Sequence, residues 1–506
     1  MLTMAVAVLL MTSCSKKPAG QMLVSEDAAI VFKIDPLQMG QKCGLSGSSD
    51  GNAIADKLKS VLNVMGLSKD LRERLEDIID EPSQSGIDIT EPMYLSVTLR
   101  NSTDMPTEIG LMGTIGSKGK LTDLLKALSK ESGGDMPEVE NINGVSCLSV
   151  GFAGLYFTSD WFFIGTHEGD DDDFTAELNN RAAGKGTLEG NEAFTAMCQK
   201  DGMAQMLYLG AGVAKITEMT EIKDMLPKGM DLADFAGIIE LDADNGEMSI
   251  VGQAIGLTDE AKQYITDSFS MLGSLDTELN KYVSGQGLSI FANLDLSKYF
   301  KTIEGLLATQ GIEREDLDMV KGLIDTVKGA MVLDLSGMAN GYPCLTAYMA
   351  TDNSDIVDLL ATNFEEEDGF EKTGDNSYKL IADYDYEYAE DGGDEDNIVS
   401  TPVWAQVGYD KNISYFTYNT DVEPMQKPAK SFAGNMIKGK GIYLNFNFDM
   451  LRNIPDISGD LSDLLTKTLD YVEFYMDGDK SVLRLVTKET GETPLQTLFR
   501  LASQAL

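Results

Sequence analysis

Residues 62–79 read LNVMGLSKDLRERLEDII, and residues 307–324 read LATQGIEREDLDMVKGLI. Aligned without a gap, Leu62, Gly66, Leu75, Ile78 and Ile79 fall on Leu307, Gly311, Val320, Leu323 and Ile324. The apolar residues recur at helical spacing, and the glycine splits each stretch into two helical pieces. A slip of one residue would destroy the agreement, so the chain carries an internal repeat.

The repeat extends outward from these helices. Before the first lies the alternating strand Ile30, Phe32, Ile34, ending at Asp35; before the second lies Ile290, Ala292, Leu294, ending at Asp295. After the first come strand patterns at 93–99 and 109–115 and a helix through Leu121, Leu124, Leu125 and Leu128. After the second come 330–335, 344–349 and a helix through Ile356, Leu359 and Leu360. Two shorter copies run from Met206 to Leu272 and from Ile442 to Ala505. The first of these turns at Asp244-Asn245-Gly246, the second at Asp477-Gly478-Asp479. Extra β segments stand between the copies, at 145–166, 378–388 and 403–418. Strands joined by a tight turn are antiparallel. The expected fold is α+β, in two tandem modules of residues 25–280 and 282–506. Each module holds two β-α-β-β-α units, with mostly antiparallel sheets and helices on one face.

The N-terminus predicts an exported, lipid-anchored protein. Met4 to Met11 is an apolar run too short to span a bilayer, and Thr12-Ser13-Cys14 closes it. This is similar to a bacterial lipobox, with residues 1–13 as signal peptide, lipid on Cys14 and residues 14–24 as tether. No later segment is long and apolar enough to span a membrane, so the lipid is the expected anchor.

The 506 residues carry a formal net charge of −42 and are 43% hydrophobic. Such an acidic chain repels phosphate backbones, which argues against nucleic acid as a partner. Cys43, Cys147, Cys198 and Cys344 are widely spaced and form no C-x-x-C pair.

The lipobox, the two-module layout and the opening Ser25-Glu26-Asp27-Ala28-Ala29-Ile30-Val31-Phe32-Lys33-Ile34-Asp35 together resemble a family of Bacteroidetes envelope lipoproteins, the domain of unknown function DUF4836. The resemblance covers nearly the whole chain beyond the signal and implies no catalytic residue. In such bacteria, acidic residues after the lipid cysteine resemble a surface-display signal. Lys16 and Lys17 stand there instead, which implies a periplasm-facing lipoprotein.

Several strings echo catalytic or metal-binding motifs. Gly47-Ser48-Ser49-Asp50-Gly51 matches a nucleophile elbow but sits in a Gly/Ser-rich stretch, and the only histidine is His167. Ser117-Lys118-Gly119-Lys120, Thr351-Asp352-Asn353 and Lys372-Thr373-Gly374 echo the motifs of penicillin-recognising serine enzymes. Ser117 and Asp352 nonetheless stand just before equivalent helices, where such residues cap free N–H groups. Asp170 to Asp173 reads as a solvated acidic loop. Asp391, Asp394 and Asp396 form the acidic cluster with calcium as its candidate ion, and no other cofactor is expected. Tyr384, Tyr386 and Tyr388 alternate with Asp383, Asp385 and Glu387. On a strand the tyrosines share one face; with Trp404 they are the candidate binding residues for a sugar ring or a protein. These features favour a non-catalytic cell-envelope lipoprotein, membrane-anchored through Cys14, that binds or scaffolds a protein or glycan. An envelope hydrolase using Asp and Glu carboxylates is the alternative.

Overall fold

The computed structural model describes residues 17–44, 49–99, 106–131, 138–215, 226, 229–275, 278–301, 314–339, 341–366, 369–387, 399–420, 424–428, 437, 439–454 and 460–505. The chain divides into two compact units: residues 1–243, 252–262 and 495–506 form the first, residues 244–251 and 263–494 the second. The architecture is α+β, and every strand pairing described below is antiparallel.

The first unit contains β1 (Ala28–Ile34), β2 (Met93–Thr98), β3 (Glu108–Thr114), β4 (Glu140–Ile142), β5 (Val145–Val150), β6 (Ala153–Phe157), β7 (Trp161–His167), β8 (Ala204–Leu209) and β9 (Phe235–Asp244). Their spatial order is β4-β5-β6-β7-β3-β2-β1-β8-β9. After a turn at Asn245-Gly246, with Gly246 at φ 83°, comes β10 (Glu247–Gly256).

The second unit contains β11 (Leu288–Asn293), β12 (Val327–Ala339), β13 (Tyr342–Thr351), β14 (Glu371–Gly374), β15 (Ser377–Glu387), β16 (Val399–Asp410), β17 (Ile413–Tyr418), β18 (Ile442–Asn447), β19 (Leu469–Asp477) and β20 (Lys480–Thr487). Their order is β14-β15-β16-β17-β13-β12-β11-β18-β19-β20. Strand for strand from β1 and from β11, the two units follow one order.

Side-chain alternation assigns the faces. Val31, Tyr94, Met112, Tyr156, Phe163 and Leu207 are buried on one face of the first sheet, against Leu23, Phe174, Leu178, Phe194 and Met197. Burying each large apolar side chain of this kind contributes roughly 1.5–3 kcal/mol. The helices Asp171–Ala182 and Glu192–Cys198 cover this face, and Asp170 and Asn191 cap them by accepting from Asp173 N and Phe194 N at 2.9 and 3.0 Å. Phe162, next to Phe163, points the other way and packs with Leu121 and Leu125 of the helix Lys118–Glu131. Helices therefore lie on both faces of this sheet, which corrects the expectation of one covered face. The second unit's core gathers Leu275, Leu279, Val283, Phe291, Val332, Tyr348, Ile437 and Tyr443.

Candidate binding surfaces

The side of the first sheet that bears Phe162 carries an apolar row set by register; of this row, Leu111 and Leu155 pack against the cluster that Phe162 forms with Leu121 and Leu125 of the helix Lys118–Glu131. Leu148, Leu155, Ile164, Leu111, Leu95, Phe32, Met206 and Ile239 stand opposite one another in turn, from β5 through β6, β7, β3, β2, β1 and β8 to β9. At about 4.8 Å per strand, this row is roughly 30 Å long. A second row beside it runs Ala153, Thr166, Ile109, Val97, Ile30, Tyr208, Gly237. Neither row contains a charged side chain, in a chain of which 24% is charged. Apart from buried Gly237, the residues are half-buried or exposed: Ile164 keeps 43% of its surface and Ile109 40%, and Phe152 at the β5–β6 tip keeps 71%. A partly exposed apolar row of this kind is a candidate interaction surface.

On the sequence this face was legible only in part. Ile30, Phe32 and Ile34 set the alternation of β1, and Val31 and Lys33 between them are the buried positions. Lys33 satisfies its ammonium by donating to the carbonyls of Cys198 and Lys200 at 3.2 and 2.6 Å.

The second sheet has a polar row on its covered face. Lys379, Gln406, Thr417, Thr346, Asp334, Ser289, Asn445, Glu473 and Arg484 are successive cross-strand partners from β15 to β20. Asp334 accepts from Ser289 Oγ at 2.6 Å and from Ser284 Oγ at 3.0 Å. Glu473, wholly buried, accepts from Tyr443 Oη at 2.6 Å and Arg484 Nε at 2.7 Å. Burial and the neighbouring carboxylate push the Tyr443 hydroxyl well above the usual phenol range. These carboxylates are engaged by hydroxyl and guanidinium donors and are built as structural members of the sheet.

Trp404 lies half-buried on β16 opposite Ile381, and the Lys379 ammonium sits 3.8 Å from its ring centroid. The cation thus covers the ring surface on which a sugar would stack. On the same hairpin, Tyr384 stands opposite Pro402 and Tyr386 opposite Ser400. Tyr388, Asp391, Asp394, Asp396 and Cys14 lie outside the described residues.

Two motif readings meet the structure. Ser117 accepts from Lys120 N at 3.4 Å at the start of its helix, and Lys120 is exposed. Lys372 to Gly374 belong to β14, in the second unit. The acidic run Asp170–Asp173 is corrected from loop to helix start: Asp170 is the cap, and Asp171 to Asp173 fill the first turn. Negative charge there meets the positive end of the helix dipole, a signal that the four-aspartate string itself carried.

Comparison with known proteins adds a family. Among solved structures, crystal form I of TP0453 aligns at 11% identity over 47% of this chain and 80% of that one, with a TM-score of 0.27. Crystal form IV of TP0453 aligns at 13% identity over 47% and 81%, also at 0.27. No curated protein matches the chain. The family described as a domain of unknown function (DUF4836) matches residues 21–479. The chain therefore belongs to the DUF4836 family.

Proposed function

We propose that this protein is a non-catalytic lipoprotein of the bacterial cell envelope. Lipid on Cys14 tethers it, facing the periplasm, and it docks a protein partner on the partly exposed sheet face around Ile109 and Ile164 of its first unit. The observation that carries the reading is the charge-free double row through Ile164 and Ile109, half-exposed on an otherwise strongly acidic chain. Protein interfaces keep their charges at the rim and an apolar centre, which is the pattern this face offers. A glycan is the weaker ligand, because Lys379 covers the Trp404 ring.

Two experiments address the two halves of the proposal. Radiolabelled fatty acid should enter the parent protein and not Cys14→Ala; equal labelling would remove the lipid tether. A photo-crosslinking residue at position 164 should yield a discrete adduct in living cells. The same residue at exposed Asp375 should not; matching yields at both positions would argue against this face as the docking site.

A further inference from the structure

We propose that the first unit turns its helix-covered face to the bilayer. Lipid on Cys14 holds the loop 184–190, between the helices Asp171–Ala182 and Glu192–Cys198, against the membrane, and the row through Ile109 and Ile164 points away from it. This orientation rests on the lipid tether proposed above and on where the chain enters the fold. Only Ser15 and Lys16 stand between Cys14 and Lys17, and three trans peptide links reach at most about 11 Å. From Lys17 onward the chain is built into the unit. The Lys17 ammonium pairs with Glu189 in that loop. Residues Ala19–Leu23 form a 3₁₀ turn, in which the Pro18 carbonyl accepts from Gln21 N at 3.0 Å. A Cβ on Gly20 would meet Gly113 Cα at 2.7 Å, so the turn lies directly on β3. Leu23 and Val24 are wholly buried in the core that holds Met112 and Phe163. The Leu23 carbonyl accepts from Arg181 Nη1 and the Val24 carbonyl from Leu188 N, both at 3.1 Å.

The entry point fixes the side. Ile109 and Ile164 point opposite to Met112 and Phe163 along β3 and β7. To lay that opposite face on the bilayer, the three links would have to pass the sheet and the helix Lys118–Glu131, which stands on it. A helix with its side chains is about 10 Å across, so a reach of about 11 Å falls short. Charge acts in the same place. A chain at −42 is repelled by anionic lipid, and Lys16 and Lys17 supply cations where the chain meets the headgroups. The row through Ile109 and Ile164 is thereby left to a partner arriving from the aqueous side.

For the test, the full lipidated chain is placed in vesicles of phosphatidylethanolamine and phosphatidylglycerol that carry nitroxide-labelled headgroups. One fluorescent residue per chain replaces Glu189, Ile164 or exposed Lys126 of the helix Lys118–Glu131. Quenching at 189 is expected to exceed that at 164 and 126 several-fold. Replacing Glu189 removes only an exposed ion pair, worth under about 1 kcal/mol. A Gly/Ser insertion of about 20 residues between Ser15 and Lys16, which adds about 25 Å of reach, should bring all three positions to the same low quenching. Equal quenching at the three positions without the insertion, or stronger quenching at 164 or 126, would overturn the orientation in a chain that still floats with the vesicles. A chain that takes up no fatty acid and does not float would overturn the lipid tether and the orientation with it.

Discussion

Arg181 grips both oxygens of Glu108, with Nη1 at 2.8 Å from Oε1 and Nη2 at 2.6 Å from Oε2, and both side chains are buried. Arg181 also donates to the Leu23 carbonyl at 3.1 Å and to Glu177 at 2.5 Å. It thereby ties the helix Asp171–Ala182 to β3 and to the segment that enters β1. Truncating Glu108 removes two charged contacts of Arg181 and leaves Glu177 as its ionic partner. Glu108→Ala should therefore cost about 1.5–3 kcal/mol in chemical denaturation. A loss under about 1 kcal/mol would mean that water replaces the carboxylate freely.

In the second unit, Arg484→Met should be strongly destabilising, because Glu473 loses its guanidinium and keeps only the Tyr443 hydroxyl. Glu473→Gln together with Arg484→Met should recover much of that loss, since the carboxylate left without Arg484, Glu247, is exposed rather than buried. Denaturation midpoints of the single and double variants give the coupling; strict additivity would contradict the ion-pair account.

Glycines let the aromatic core of the first unit lie flat on its sheet. Gly154, Gly165 and Gly110 are successive cross-strand partners. A Cβ at Gly110 would meet the Phe163 ring at 2.1 Å, and one at Gly165 the Ile109 carbonyl oxygen at 1.9 Å. Gly165→Ala should lower stability by about 1–3 kcal/mol or more, since backbone must move to admit the methyl group. An unchanged melting midpoint would show that the strands are spaced more loosely.

How much of this was readable beforehand depended on whether the signal was local. Asp35 and Asp295, matched in the repeat, each accept the backbone N–H three residues on, at 2.8 and 3.0 Å. A cap needs only its own turn, so such positions stand out in sequence. The order β4-β5-β6-β7-β3 did not, because pairing a distant hairpin onto β3 is a long-range choice that local propensity leaves open. Nor did the partly exposed face. Both faces of β1 are mainly apolar, and on β2 the buried face is Tyr94, Ser96 and Thr98, so apolar alternation points to the less buried side. The Trp404 site was visible as a residue, but the Lys379 cap arises from cross-strand neighbours that alternation alone does not align.

Acid should loosen the start of the helix Asp171–Ala182. Asp171 lies below the ordinary aspartate value when folded, so it binds its proton less tightly than in the unfolded chain. Its stabilisation is present above that ordinary value and is lost as pH falls through the folded one. Urea midpoints between about pH 2 and 5 should therefore fall less steeply for Asp171→Asn than for the parent. Parallel slopes would mean that Asp171 contributes nothing to acid sensitivity.

The partly exposed face around Ile109 and Ile164 is tested most directly by the size of the native assembly. The parent protein, extracted from its own envelope in mild detergent, should migrate in a complex larger than the single chain. Ile109→Asp with Ile164→Asp, changing two exposed side chains on that face, should shift it to the size of the free chain while its melting midpoint stays close to the parent's. A parent already at single-chain size, or a folded double variant that keeps the larger assembly, would contradict the account.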